Sequence, residues 1–150
     1  MAHDAALSFL HFTFVFIFVG ALSAQAFVLR LPVDGKVARL LLRIDLFYGL
    51  SAVGVILAGL SRAIFGVKGW EYYTGQPLFW AKIATLALTG LFSIAPTLAF
   101  FRWVKALGSD SARLVEDGDV KRIRRLVMTE LHLLVLVLAS AALMARGIGG

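Results

Sequence analysis

Four uninterrupted apolar runs constrain this chain more than any other feature. They extend from Ala5 to Leu29, Ile44 to Phe65, Leu78 to Phe101 and Leu126 to Ala145. Each holds the ~20 residues that a helix rising 1.5 Å per residue needs to cross about 30 Å of hydrocarbon. Lipid offers no partner for a backbone N–H or C=O, so each run is expected to be an α-helix. The fold expected is all-α: a single transmembrane domain over residues 1–150, built as an antiparallel four-helix bundle with short connections. Composition agrees. Sixty per cent of the residues are hydrophobic and 16% charged, with a mean hydropathy of +0.87, which excludes an ordinary soluble domain. There is no Cys, hence no disulfide, thiolate metal site or thiol nucleophile.

The first run contains a small-x-small site in ALSAQA, but its leading residues MAHDAAL carry an Asp and no Lys or Arg. A secretory signal wants a basic start, so this run is expected to be a retained helix.

Orientation follows from the distribution of the cations. The first connection carries Arg30, Lys36, Arg39 and Arg43, and the third carries Arg102, Lys105, Arg113, Lys121, Arg122, Arg124 and Arg125. The opposite side has only Arg62, Lys68, Lys82 and Arg146. The positive-inside rule then places the first side in the cytoplasm and both termini in the periplasm of a bacterial inner membrane. The net charge of +6 is therefore read as topology and anionic-lipid contact, not nucleic-acid binding, the KRIRR run at residues 121–125 included. In the third connection Ser109 and Asp119 have N-cap chemistry, and a short surface helix is expected ahead of the fourth span. The second connection, Arg62 to Lys82, is rich in Trp and Tyr. Trp70, Tyr72, Tyr73 and Trp80 suit the membrane–water boundary, where an apolar ring and a polar tip are both satisfied.

Polar residues within the spans fall into stripes at helical period. His11 and Gln25 share a face of the first helix. Tyr48, Ser51 and Arg62 share one on the second, where Gly49, Gly54 and Gly59 allow close approach of a neighbour. Lys82, Thr85, Thr89 and Ser93 form a stripe on the third, ending at a kink expected from Pro96. His132 and Arg146 share a face of the fourth. Facing one another, the stripes would give the bundle a polar seam, with His11, Arg62, Lys82 and Arg146 at its periplasmic end and Gln25, Asp45, Tyr48, Glu130 and His132 at its cytoplasmic end. His3 precedes the first helix, and His11 and His132 lie too far apart in depth to ligate one haem.

Simpler readings exist for most of these. Arg62 and Arg146 can snorkel to the surface, Asp45 can pair with the basic connection beside Arg43, and His132, Glu130 and Thr129 can satisfy polar groups between helices. His11 and Lys82 lie deeper, where a charge or a polar ring needs a reason. Nothing matches a hydrolase triad, a zinc motif, a P-loop or a dinucleotide fingerprint.

The run RIDLFYGLSAVGVILAGLSR, followed by KGWEYY, PLFWAK, GLFSIAPTLAFFRW and LMARG, resembles an uncharacterised bacterial family of predicted four-helix membrane proteins. More distantly, LHFTFVFIFVGALSAQAFVLR is similar to the first helix of the HemJ-type protoporphyrinogen oxidases and of the copper-resistance D-type membrane proteins, where a His opens the helix. FWAK is similar to the Trp-x-x-Lys of a later HemJ-type helix, with Ala81 where that type has a His. This likeness implies His11 as an axial ligand of haem b and Lys82 as a functional lysine.

Three functions remain open. One is a haem b redox protein, with His11 on the iron and Arg62, Lys82 and Arg146 neutralising the propionates. A second is a carrier or accessory subunit for an anion or metal, using the same cations. The third is a structural membrane partner, with a homo-oligomer or another membrane protein as its associate. Whether the protein is an enzyme stays undecided at this level.

Overall fold

A computed structural model describes residues 2–67, 69–108 and 112–146. Among these every regular element is a helix: α1 Ala2–Val28, α2 Gly35–Phe65, α3 Gly69–Thr74, α4 Pro77–Leu107 and α5 Asp117–Ala145. His3 lies within α1 and not ahead of it; its side chain, and residues Lys68 and Ser109, fall outside the described residues.

The four long helices run alternately up and down. α1 packs chiefly on α2 and α4 on α5, while α2–α4 and α1–α5 contacts close the ring more loosely. One end carries α3, the start of α1 and the end of α5; the other carries the cation-rich connections. These are called the α3 end and the basic end below.

Each long helix contains a window hydrophobic enough to cross a membrane, and no more than a third of any window is buried inside the protein. Large apolar side chains instead point outward along the whole length, among them Phe9, Phe16, Leu46, Phe47, Leu91 and Val135. Water would not tolerate such a surface, but lipid tails cover it at no loss. This is a membrane protein with four candidate spans.

The helices outrun the apolar runs. α2 begins at Gly35 and not at Ile44, α4 continues to Leu107 beyond Phe101, and α5 begins at Asp117 and not at Leu126. Hydropathy stops at the first charges, but helical hydrogen bonding does not, since Lys and Arg are good helix formers. Asp34 sets the start of α2: its Oδ1 accepts from the backbone N–H of Lys36 at 2.9 Å and of Val37 at 2.8 Å. Asp117 and Asp119 both lie in the first turn of α5, where they suit the positive pole of the helix. Asp119 is thus inside α5, not its cap, and the described part of that connection, 112–116, holds no helix. The short extramembrane helix is on the other side, as α3. α4 runs unbroken through Pro96, which leaves the Phe92 carbonyl without its helical donor.

The core is uneven. Phe18, Leu22, Leu29, Leu41, Phe100, Trp103, Ile123 and Val127 close it toward the basic end. The Val115 N–H donates to the Val33 carbonyl at 2.9 Å and ties the two connections there together. Toward the α3 end, described side chains of α1 before Phe18 and of α5 after Leu134 are not buried. Two glycines of α2 bring α1 in at this end. A Cβ on Gly54 would overlap the Phe14 ring, and one on Gly59 would stand 3.3 Å from Cε1 of His11. Gly49, also expected to seat a neighbour, has open space where its Cβ would be; it faces a cavity instead.

Candidate functional site

Three of the four cation-side residues named from sequence meet at the α3 end. His11 is half-buried on α1, its ring laid over the α2 backbone where Gly59 leaves room. The Val55 carbonyl is the backbone group acting on it, yet Nδ1 is buried with no hydrogen bond of normal geometry. Lys82 and Arg62 are the charges that act on this imidazole, and Arg62 also acts on Lys82. Both cations are half-buried.

Aromatic faces hold the two cations. Lys82 Nζ lies 5.2 Å from the Phe79 ring centre, and the Arg62 guanidinium 5.8 Å from that of Phe12. Phe79 is itself buried and packed edge-on by Trp70 and Trp80. The Trp80 Nε1–H donates to the Thr74 carbonyl at 3.0 Å, which pins the start of α4 to the end of α3. Trp70 and Trp80 remain substantially exposed at this end. The one ion pair among the described residues, Arg102–Asp119 at 3.1 Å, is at the basic end. The result is an imidazole and two cations with no ion-paired carboxylate among the described residues. Phe79 was not foreseen in this role; its place three residues before Lys82, on the same helix face, was the available signal.

Arg146 does not join them. It is exposed just past α5 and is not among the charges felt at His11. The stripe proposed for α5 also fails at His132, which is exposed and bonded through Nδ1 to the carbonyl of Met128 in its own helix. Glu130 and His132 are two residues apart, roughly 200° around a helix of 3.6 residues per turn, so they cannot face the same neighbour. Thr129 likewise bonds its own helix, at the Arg125 carbonyl.

A second polar cluster lies toward the basic end, and it is buried. Gln25 Nε2 donates to Asp45 Oδ1 at 2.9 Å, and Tyr48 Oη donates to Glu130 Oε2 at 2.9 Å. Gln25 and Glu130 are each 1% exposed and Asp45 is 7% exposed. Asp45 is therefore not in the surface pair expected with Arg43, which is exposed. From α4, Thr97 stands against Asp45 and Ser93 against Tyr48. Thr97 was not singled out in the sequence, although it lies four residues after Ser93 on the same helix face.

Comparison with known proteins gives one result. The family model described as "Predicted membrane protein (DUF2214)" matches residues 3–149, and the chain belongs to that family. No curated protein matches, and no solved structure matches.

Proposed function

We propose that this member of the family binds an anionic ligand at its α3 end, and that haem b is the ligand whose chemistry uses every group there. The observation that carries the reading is the His11 imidazole, seated on α2 at Gly59, beside two cations for which no ion pair exists among the described residues. Uncompensated charge within a span is expensive and marks a site. A neutral imidazole is the usual protein donor to haem iron. Arg62 and Lys82 supply the positive charge that two propionates require, while Arg146, exposed, is left with at most a peripheral part. Haem, when bound, supplies one-electron chemistry. The chain's own contribution would be to orient the ring of His11 on Gly59 and to hold the cations on Phe12 and Phe79.

The cation bias supports placing the protein in a bacterial inner membrane with the basic end in the cytoplasm. The site would then open to the periplasm, and a periplasm-dependent reporter fused after Gly150 should be active.

The test is the visible spectrum of detergent-purified protein from haem-replete cells. A Soret band that His11→Ala removes and His132→Ala leaves intact is the expected result. No Soret band, even with added haemin, ends the haem reading. A second reading, an anion carrier or accessory subunit without haem, is favoured by the cations alone. It predicts retention of a carboxylate- or phosphate-bearing compound that Arg62→Ala and Lys82→Ala both weaken.

A further inference from the structure

Two carboxylic acids meet inside the bundle with no cation to balance them. Glu130 on α5 and Asp45 on α2 are close enough to act on each other electrostatically, and both are shielded from solvent. The groups facing them can be named element by element. α1 contributes the Gln25 amide, α2 the Tyr48 phenol, and α4 the hydroxyls of Thr97 and Ser93. Lys, Arg and His are missing from that set; the closest in sequence, Arg43, is exposed at the rim of the neighbouring cavity.

The hydrogen-bond inventory is incomplete in an informative way. Glu130 Oε2 and Asp45 Oδ1 each accept a donor, but Glu130 Oε1 is buried with none. A buried acceptor without a partner loses its hydration for nothing. A second negative charge beside it makes the vacancy worse, because the surroundings screen poorly. Ser93 spends its hydroxyl on the Gly90 carbonyl, and a proton or a cation at the acids would answer both the open acceptor and the paired negative charge.

Asp45, though not Glu130, also borders open space. A cavity of about 650 Å³ opens between α2 and α4. Asp45, Tyr48, Ser93 and Thr97 form its polar wall, and Gly49 and Gly90 keep it clear, each with open space at the Cβ position. The donors are all oxygen, as hard cations prefer, and there is no sulfur or imidazole to select a transition metal.

We infer that Asp45 and Glu130 form a monovalent-cation site, shared by all four helices, that takes a proton or an alkali cation from the α2–α4 cavity. The site is separate from the cluster around His11, and either can exist without the other.

The test uses the purified full-length protein in detergent. Its melting temperature is followed against pH, and against NaCl or KCl with choline chloride as the ionic-strength control. Reaction with dicyclohexylcarbodiimide, which attacks carboxyl groups in apolar surroundings, is read by peptide mass. The expected result is a cation- or pH-specific shift in melting temperature that Asp45→Asn with Glu130→Gln abolishes, and an adduct on one of the two acids. Protection of that adduct by Na⁺ or K⁺ over choline identifies an alkali cation; decline with rising pH and no protection identifies the proton. An identical response in the wild type and the double variant overturns the inference. Should the double variant fail to fold, the absence of an adduct on both acids of the wild type overturns it.

Discussion

At the basic end, four helices close around Gln25, Asp45, Tyr48 and Glu130, and the polar groups of α1, α2, α4 and α5 bond across the helix interfaces. At the α3 end, α1 and α5 bury almost nothing, and the cations lie on aromatic rings without an anion. The charge left over is negative at the first and positive at the second. One end is therefore held by its own side chains, while the other is a half-open cluster kept in place by Gly54, Gly59 and the α3 aromatics. Mutations should separate the two by size and by sign.

The largest effect is expected where α1 is seated. Gly54→Leu drives a side chain into the Phe14 ring, and overpacking of this kind costs about 1–3 kcal/mol or more. Gly49→Ala and Gly90→Ala meet open space and should stabilise their helices by roughly 0.5–1 kcal/mol. Unfolding of the three variants in detergent by thermal or SDS titration checks the contrast; equal losses would mean that the α1–α2 contact is not this close.

Next comes the basic-end network. Tyr48→Phe removes the donor to Glu130 and leaves a buried carboxylate with no partner at either oxygen, at a cost of about 1–3 kcal/mol. The same unfolding assay reads it, and a neutral outcome would show that the phenol bond contributes little.

The α3 end should respond with the opposite sign. Lys82→Met in ligand-free protein removes one of two like charges, so stability should stay level or rise slightly. A clear loss would mean that the cation–π contact with Phe79 outweighs the repulsion.

The smallest effect belongs to Arg102→Ala. Its pair with Asp119 is exposed on both sides, and such pairs contribute about 0–1 kcal/mol. A larger loss would assign the basic connections a structural weight that their exposure denies them.

The four spans were legible because lipid allows one solution to an apolar run of that length. The helix ends were not, since hydropathy reports where lipid stops and not where the backbone ladder stops; hence α2 reaches back to Asp34 and α5 to Asp117. Periodicity found the inward stripes of α2 and α4, where Tyr48, Ser51 and Thr89 are indeed buried. It misjudged α5, because a shared face for His132 and Arg146 does not say whether that face turns inward. Asp45 was drawn toward Arg43 by sequence proximity, whereas Gln25, twenty residues away, is its partner. His11, Arg62 and Lys82 could be grouped by depth alone. That Phe12 and Phe79 carry the two cations depends on side-chain directions, which depth does not supply.

The central claim is that the α3 end splits its work, with cations for carboxylates and His11 for iron. Binding of haemin and of metal-free protoporphyrin, measured side by side on the purified protein, tests this most directly, since both ligands carry the same two carboxylates. The wild type should bind both; His11→Ala should lose the haemin Soret shift and still bind the metal-free porphyrin; Arg62→Ala with Lys82→Ala should weaken both. Binding of neither ligand by the wild type, or haemin binding unchanged in His11→Ala, would contradict the account.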